Sequence, residues 1–154
     1  MLNDIIFSVR GTIVGKQRPR FRRMKIKGKN GKADKEVIST YTPKKTKNYE
    51  ELVAEAYESD YPFMVFPEGA LKLEVEFFFK MPDSWSKKKK VEMYDKPCTK
   101  RPDIDNCIKS IQDGLNGVAF TDDSQITDIG HCIKRWATQE YTIVKIKRVL
   151  AQRS

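Results

Sequence analysis

The stretch ALKLEVEFFFK, from Ala70 to Lys80, decides the fold class of this 154-residue chain. Apolar and charged residues alternate along it, so every second side chain lies on the same face of a β-strand. The apolar face is predicted to consist of Leu71, Leu73, Val75, Phe77 and Phe79. Pro82 follows at once and is expected to end the strand. The stretch therefore predicts a strand with one buried and one polar face.

Two stretches with helical periodicity lie on either side of this strand. The first begins at Thr42-Pro43, with threonine as the cap and proline at the first helical position, and runs for about 15 residues. Its apolar stripe contains Tyr49, Leu52, Val53, Ala56 and Tyr57. The second helix is predicted over residues 104–116, with the stripe Ile104, Ile108, Ile111 and Leu115. Both stripes predict helices that pack on a common core.

Three further strands are expected at residues 4–14, 125–136 and 140–149. Residues 83–90, which contain Trp85 and four consecutive lysines, form either a loop or a short helix. The order strand, helix, strand, helix, strand, strand indicates an α+β fold with helices packed on a small mixed sheet. A chain of 154 residues fits one domain, spanning 1–154.

The charge of the chain is concentrated in one segment. The whole sequence has a formal net charge of +9. Residues 16–47 hold 13 basic and two acidic residues, a net of +11, so the rest carries −2, the difference between +9 and +11. Within this segment, residues 16–41 form either a hairpin turning at Asn30-Gly31 or a mobile basic arm. Such a segment favours a polyanionic partner, with nucleic acid first.

Several classes of protein are disfavoured. No apolar run approaches the roughly 20 residues of a membrane-spanning helix, and no secretory signal opens the chain. Three cysteines and the single His131 match no zinc pattern. Reduced cysteines in the core and a cytoplasmic location are therefore expected. Trp85 and Trp136 are also expected in the core.

Four acidic residues could carry chemistry. Asp103 and Asp105 precede and open the second helix, and Asp122-Asp123 precede the next strand. If these segments are neighbours in the fold, the carboxylates converge and repel one another unless a hard cation such as Mg²⁺ lies between them. Each acid also has a structural alternative, since Asp105 could cap the helix and Asp122-Asp123 could form a turn.

Lys109 lies one helical turn beyond Asp105. Its ammonium could stabilise charge that develops on a phosphate, or it could form a simple helix salt bridge. Asp113 lies on the same stripe of the helix, and a structural role near the site is expected for it.

The stretch from Arg101 to Ile126, RPDIDNCIKSIQDGLNGVAFTDDSQI, closely resembles the RusA family of Holliday junction resolvases. GKQRPRF at residues 15–21, Tyr41-Thr-Pro and Tyr49-Glu look like the amino-terminal region of that family. The resemblance covers most of the chain. Cys107 differs from the aliphatic residue usual there, and the basic insert at residues 24–35 is long for the family.

The resemblance implies an endonuclease that acts on four-way DNA junctions as a homodimer, with each subunit nicking one strand. Asp103, Asp105 and Asp123 match the magnesium-binding acids, Lys109 matches the catalytic lysine, and Asp122 matches a neighbouring acid that is a further candidate ligand. Mn²⁺ is a conceivable substitute, and no small-molecule cofactor is expected. The expected product carries a 5′-phosphate.

The predicted DNA-binding residues are Lys16, Arg18, Arg20, Arg22, Arg23 and Arg101. Phe21 could insert at the branch point or could instead pack within the hairpin or core. Two other classes of function remain as alternatives. A protein that binds branched or single-stranded DNA without cutting it would keep the basic segment, and a membrane-surface protein would need a basic amphipathic helix that is not evident.

Overall fold

The computed structural model describes residues 4–150. The strands are β1 (Asp4–Arg10), β2 (Arg20–Ile26), β3 (Lys35–Tyr41), β4 (Leu71–Lys80), β5 (Ile126–Ala137) and β6 (Tyr141–Arg148). The helices are α1 (Lys44–Asp60), α2 (Lys87–Met93) and α3 (Ile104–Leu115), and a 3₁₀ turn covers Asp123–Gln125. None of the helices in this part of the chain is both long and apolar enough to span a membrane.

The main sheet has the strand order β1-β6-β4-β5. β6 pairs antiparallel with both β1 and β4, whereas β5 runs parallel to β4. The predicted α+β class and mixed sheet are therefore confirmed. The predicted order of elements holds for this sheet and for α1 and α3, and β2, β3 and α2 are added to it.

The ALKLEVEFFFK stretch forms the central strand β4, as predicted. All five residues of its predicted apolar face are buried and belong to one hydrophobic core with residues of α1 and α3. On the opposite face of β4, the side chains from Lys72 to Phe78 are partly exposed, and the terminal Lys80 is exposed. The strict alternation of the sequence is thus the direct cause of the buried and polar faces.

Some sequence predictions were wrong at the ends of elements. α1 begins at Lys44 with Pro43 as its cap position, and no side chain caps it, so Thr42 does not serve as predicted. The first strand ends at Arg10 and not at residue 14, although Ile13 and Val14 are still buried. These residues reach the core from an irregular segment, which an apolar pattern alone does not distinguish from a strand.

The buried stripe of α3 also differs from the prediction. It consists of Cys107, Ser110, Ile111, Gly114 and Leu115, and Ile104 is exposed. Small residues face α1 because the two helices approach closely: a Cβ on Gly114 would lie 2.9 Å from the carbonyl oxygen of Glu50. Ile111 and Leu115 of the predicted stripe are buried and Ile108 packs partly buried against the core, so only Ile104 was predicted wrongly. The pattern of large apolar residues did not reveal the small residues that contact α1.

The basic segment forms a hairpin, the first of the two alternatives. β2 and β3 pair antiparallel, from Arg20 opposite Tyr41 to Ile26 opposite Lys35. Every residue of the two strands except Ser39 is exposed. The hairpin therefore projects from the core and carries its charge into solvent.

The segment after β4 forms the short helix α2, capped by the hydroxyl of Ser86. Trp136 is buried and packs edge to face against the partly buried Trp85, which confirms the predicted core position of both. The three cysteines are free thiols, as expected. Burial raises the pKa of the Cys107 thiol to about 12.

The carboxylate of Glu74 joins three strands of the main sheet. It accepts a hydrogen bond from Lys147 Nζ on β6 at 2.9 Å and another from the backbone amide of His131 on β5 at 2.9 Å. The His131 amide lies near an irregularity in the β4–β5 register. It donates to the side chain of Glu74 in place of a regular hydrogen bond between the strands. The hydrogen bond from Lys147, followed by that from His131, lowers the pKa of Glu74 below its ordinary value of 4.5.

Replacing Glu74 with Gln is expected to destabilise the fold in a pH-dependent way. Because the pKa of Glu74 is lowered on folding, its charge stabilises the fold above about pH 4.5, and this contribution is lost as the pH falls through the lowered value. We expect the variant to be less stable than the wild type by up to about 1 kcal/mol at pH 7, with the difference vanishing once the pH is below the lowered pKa of Glu74. Urea unfolding at several pH values measures this, and Glu92→Gln, at an exposed glutamate of α2, is the control.

Candidate active site

The segment that leads into α3 is held against the edge of the main sheet. Lys134 on β5 donates its ammonium hydrogens to the carbonyl oxygens of Lys100 and Pro102. The amide of Cys98 donates to the carbonyl of Lys134 at 3.0 Å, and Pro97 bridges Arg135. These bonds fix residues 97–102 beside β5 and thereby place the start of α3.

Asp103 and Asp105 lie at this start. Asp103 occupies the cap position of α3, but its carboxylate makes no capping hydrogen bond, and Asp105 lies in the first turn. Both are exposed. Within residues 4–150, neither carboxylate accepts a hydrogen bond or forms an ion pair. The structural alternative, in which Asp105 caps the helix, therefore does not account for either acid.

Asp122 and Asp123 begin the 3₁₀ turn that precedes β5. Asp122 caps this turn by accepting from the amide of Ser124 at 3.2 Å, and the side-chain oxygen of Gln125 accepts from the backbone amide of Asp122 at 3.4 Å, which completes a capping box. These bonds to Ser124 lower the pKa of Asp122. Asp122 therefore has the structural role of forming a turn, whereas the carboxylate of Asp123 is not used in this cap.

Lys109 connects α3 to Asp123. Its Nζ lies 3.2 Å from Asp123 Oδ2 and 2.9 Å from Asp113 Oδ1. No ion pair joins Lys109 to Asp105, although the spacing in sequence would allow one. The hydrogen bond to Asp113 is the largest effect that raises the pKa of Lys109, so the amine remains charged at neutral pH.

A chain of ion pairs continues from Lys109 through Asp113 to Lys16 and Glu50. Lys16 Nζ lies 3.0 Å from Asp113 Oδ2 and 2.7 Å from Glu50 Oε1. Burial disfavours the charged form of Lys16, but the hydrogen bonds to both carboxylates outweigh it and raise the pKa. The network joins α1, α3, the 3₁₀ turn and the segment after β1, which are far apart in the sequence.

Two members of this network were not predicted as site residues. The central position of Asp113 exceeds the structural role expected for it, because it contacts both lysines. Glu50 was not singled out as a charged partner. The available signal was its position three residues before the buried Val53 and directly after the buried Tyr49, at the border of the apolar stripe of α1.

The predicted DNA-binding residues fall into two groups. The arginines at positions 18, 20, 22, 23 and 101 are exposed. Two of them make local contacts, since Arg22 lies over the ring of Tyr41 and Arg23 is 3.8 Å from Glu36. Lys16 differs because its ammonium lies between two carboxylates, and this geometry favours a structural role for it over a phosphate contact.

The acids near α3 have the right chemistry for a hard cation. Carboxylate oxygens are preferred by Mg²⁺, which commonly takes only one or two of them and completes its shell with water and substrate phosphate. The unpaired carboxylates of Asp103 and Asp105 fit this donor set. No group of three or more His, Cys, Asp or Glu side chains among residues 4–150 lies close enough together to hold a metal ion. The three-aspartate metal site therefore stays a prediction.

Comparison with known proteins identifies the family of the chain. The family model described as Endodeoxyribonuclease RusA matches residues 10–147. The chain is also similar to the uncharacterized protein YqaN of Bacillus subtilis (strain 168), with 34% identity over 133 residues, which is 83% of this chain and 85% of the relative. The resemblance seen in residues 101–126 is thereby confirmed and extends over nearly the whole described chain. This chain belongs to the RusA family of endodeoxyribonucleases, a family of Holliday junction resolvases.

Proposed function

We propose that this protein is a Mg²⁺-dependent, structure-selective endonuclease that resolves four-way DNA junctions by paired symmetric nicks. The observation that carries the proposal is the position of Lys109. Its ammonium contacts Asp123 from the same helix that begins with the unpaired Asp103 and Asp105. A cation that can stabilise a phosphate and three carboxylates suited to a metal therefore come from one helix and from the turn that follows it, which supports the proposal.

In this proposal Asp103, Asp105 and Asp123 hold the metal, with Asp122 beside them. A bound Mg²⁺, or Mn²⁺ in its place, would supply a water of lowered pKa and polarise the phosphodiester. Lys109 is charged and partly exposed, so it can stabilise negative charge on the phosphate or the leaving oxygen. Asp113 keeps the ammonium of Lys109 oriented. Hydrolysis leaves a 5′-phosphate and a 3′-hydroxyl.

The hairpin supplies the means of holding branched DNA. Arg20, Arg22 and Arg23 project from it into solvent, where they can pair with backbone phosphates. Phe21 is 76% exposed, so it does not pack in the core or within the hairpin. The side chain is therefore available to stack on a base or insert at the branch point.

A homodimer completes the proposal. A four-way junction has approximate twofold symmetry, and a twofold dimer presents two equivalent sites to it. Phe77 and Phe79 are fully buried in the monomer core. An interface must therefore use other residues.

Incubation with a synthetic four-way junction tests the proposed function. We expect two nicks, symmetric across the junction, in the presence of Mg²⁺ and none with chelator. A linear duplex of the same sequence should stay intact under the same conditions. If the protein binds the junction but never cuts it with Mg²⁺ or Mn²⁺, the non-catalytic DNA-binding alternative is correct. Cleavage of linear duplex at a comparable rate would contradict junction selectivity.

A further inference from the structure

A cleft of about 430 Å³ lies beside the proposed catalytic acids. It is lined by the segment after β1, by the start of α1 and by residues 101–106, and Asp103 lies among its lining residues. This volume is within the range of sites that bind small molecules. The cleft is thus large enough for a single nucleotide and is contiguous with a residue proposed to act in cleavage.

The walls of the cleft are held rigidly. Gly15 lies so close to Pro102 that a Cβ on Gly15 would come within 2.5 Å of the Pro102 Cβ. The backbone amide of Lys16 donates to the carbonyl of Asn106 at 2.9 Å. The segment after β1 is therefore packed directly on the first turn of α3, and the cleft between them is a built feature of the fold.

The cleft has cations that no other residue neutralises. Lys45 and Arg101 line it, both are exposed, and neither forms an ion pair within residues 4–150. Lys16 also lines the cleft, but its charge is compensated by Glu50 and Asp113. The side-chain amides of Gln17 and Asn106 are likewise without hydrogen-bond partners in the described chain. Two free cations beside two free amides suit a ligand with a phosphate and several polar groups.

We propose that this cleft binds the nucleotide next to the scissile phosphate, with Lys45 and Arg101 contacting its backbone phosphate and Gln17 and Asn106 its sugar or base. This inference rests on the proposed function and adds Lys45, which lies outside the basic hairpin, to the DNA-binding residues. A concave site of this size admits one nucleotide but not a stacked duplex. Displacing a nucleotide from a continuous duplex costs free energy, and this cost is smaller where stacking is interrupted. The cleft would therefore favour nucleotides at a branch point.

Adjacent lysines at the start of α1 provide a matched test. Lys44 and Lys45 are both exposed and both lie in the first helical turn, but only Lys45 lines the cleft. Junction binding is measured in chelator, so that cleavage does not interfere, for wild type, Lys45→Ala and Lys44→Ala at several salt concentrations. We expect Lys45→Ala to weaken binding about three- to tenfold and to reduce the salt slope by about one. Lys44→Ala should leave both nearly unchanged, and equal losses would overturn the proposal.

A modified DNA then locates the contact. A neutral methylphosphonate replaces the phosphate on either side of the cut, or the phosphates at the branch point if no cut is observed. At one position the replacement should weaken binding by wild type and by Lys44→Ala, but not further weaken binding by Lys45→Ala, because the contact is already lost. Equal penalties in all three proteins at every position would overturn the proposal.

The failures of the two proposals can be told apart. If wild type cuts junctions but Lys44 and Lys45 behave alike, the cleft proposal is wrong and the nuclease proposal stands. If wild type cuts nothing but the contrast between the two lysines persists, the cleft binds DNA away from any scissile phosphate, and both the nuclease proposal and this placement of the nucleotide are wrong. If the protein binds no DNA, both are wrong.

Discussion

We expect that replacing Asp103 with Asn abolishes cleavage of a four-way junction but leaves binding intact or tighter. The carboxylate is exposed, forms no ion pair within residues 4–150 and does not cap α3, so the fold does not depend on its charge. Its removal takes a hard oxygen ligand from the proposed metal site and a negative charge from the DNA-binding surface. We expect the single-turnover rate to fall about a thousandfold or more.

The measurement pairs single-turnover cleavage with junction binding in chelator. Asp83→Asn is the matched control, because Asp83 is also an exposed aspartate, paired only with Lys80 at 3.4 Å. It should cut at the wild-type rate. Should Asp103→Asn retain more than about a tenth of the wild-type rate, Asp103 is not a metal ligand in the reaction.

Replacing Asp113 with Asn is expected to slow cleavage about ten- to a hundredfold without a comparable loss of binding. Asp113 accepts from Lys109 at 2.9 Å and from Lys16 at 3.0 Å, so neutralising it removes one of the two carboxylates that hold each ammonium group. The residue does not need to touch the substrate for this effect. It acts as a positioning residue through Lys109.

A double-mutant cycle separates this role from a merely structural one. If Asp113 acts through Lys109, the variant carrying both Asp113→Asn and Lys109→Met cuts no more slowly than Lys109→Met alone. Independent, multiplying losses would show that Asp113 supports the fold instead. Asp128→Asn is the control, since Asp128 is an exposed aspartate that accepts only from the neighbouring Thr127 hydroxyl. Its rate should equal that of wild type.

The central strand illustrates why part of the fold can be predicted from sequence. The alternation in β4 places a side chain on a given face whatever its neighbours are, because the backbone of any strand has a period of two. The class of the fold and the resemblance in residues 101–126 could also be predicted from the sequence alone. Helix ends and the buried stripe of α3 were harder to predict from the sequence, because Pro43, Ser110 and Gly114 act through local backbone geometry and close packing.

For the candidate site, the sequence by itself determined which residue types are present: the aspartates, Lys109 and the concentrated positive charge. Only the tertiary structure decided their partners. It turned Lys109 towards Asp113 and Asp123, enclosed Lys16 between two carboxylates and left Lys45 and Arg101, beside a cleft, without an ion-pair partner among residues 4–150. The physical reason is that an ion pair depends on distances of a few ångströms between side chains, and residues such as Lys16 and Asp113 are brought that close only when α1, α3 and the sheet pack together.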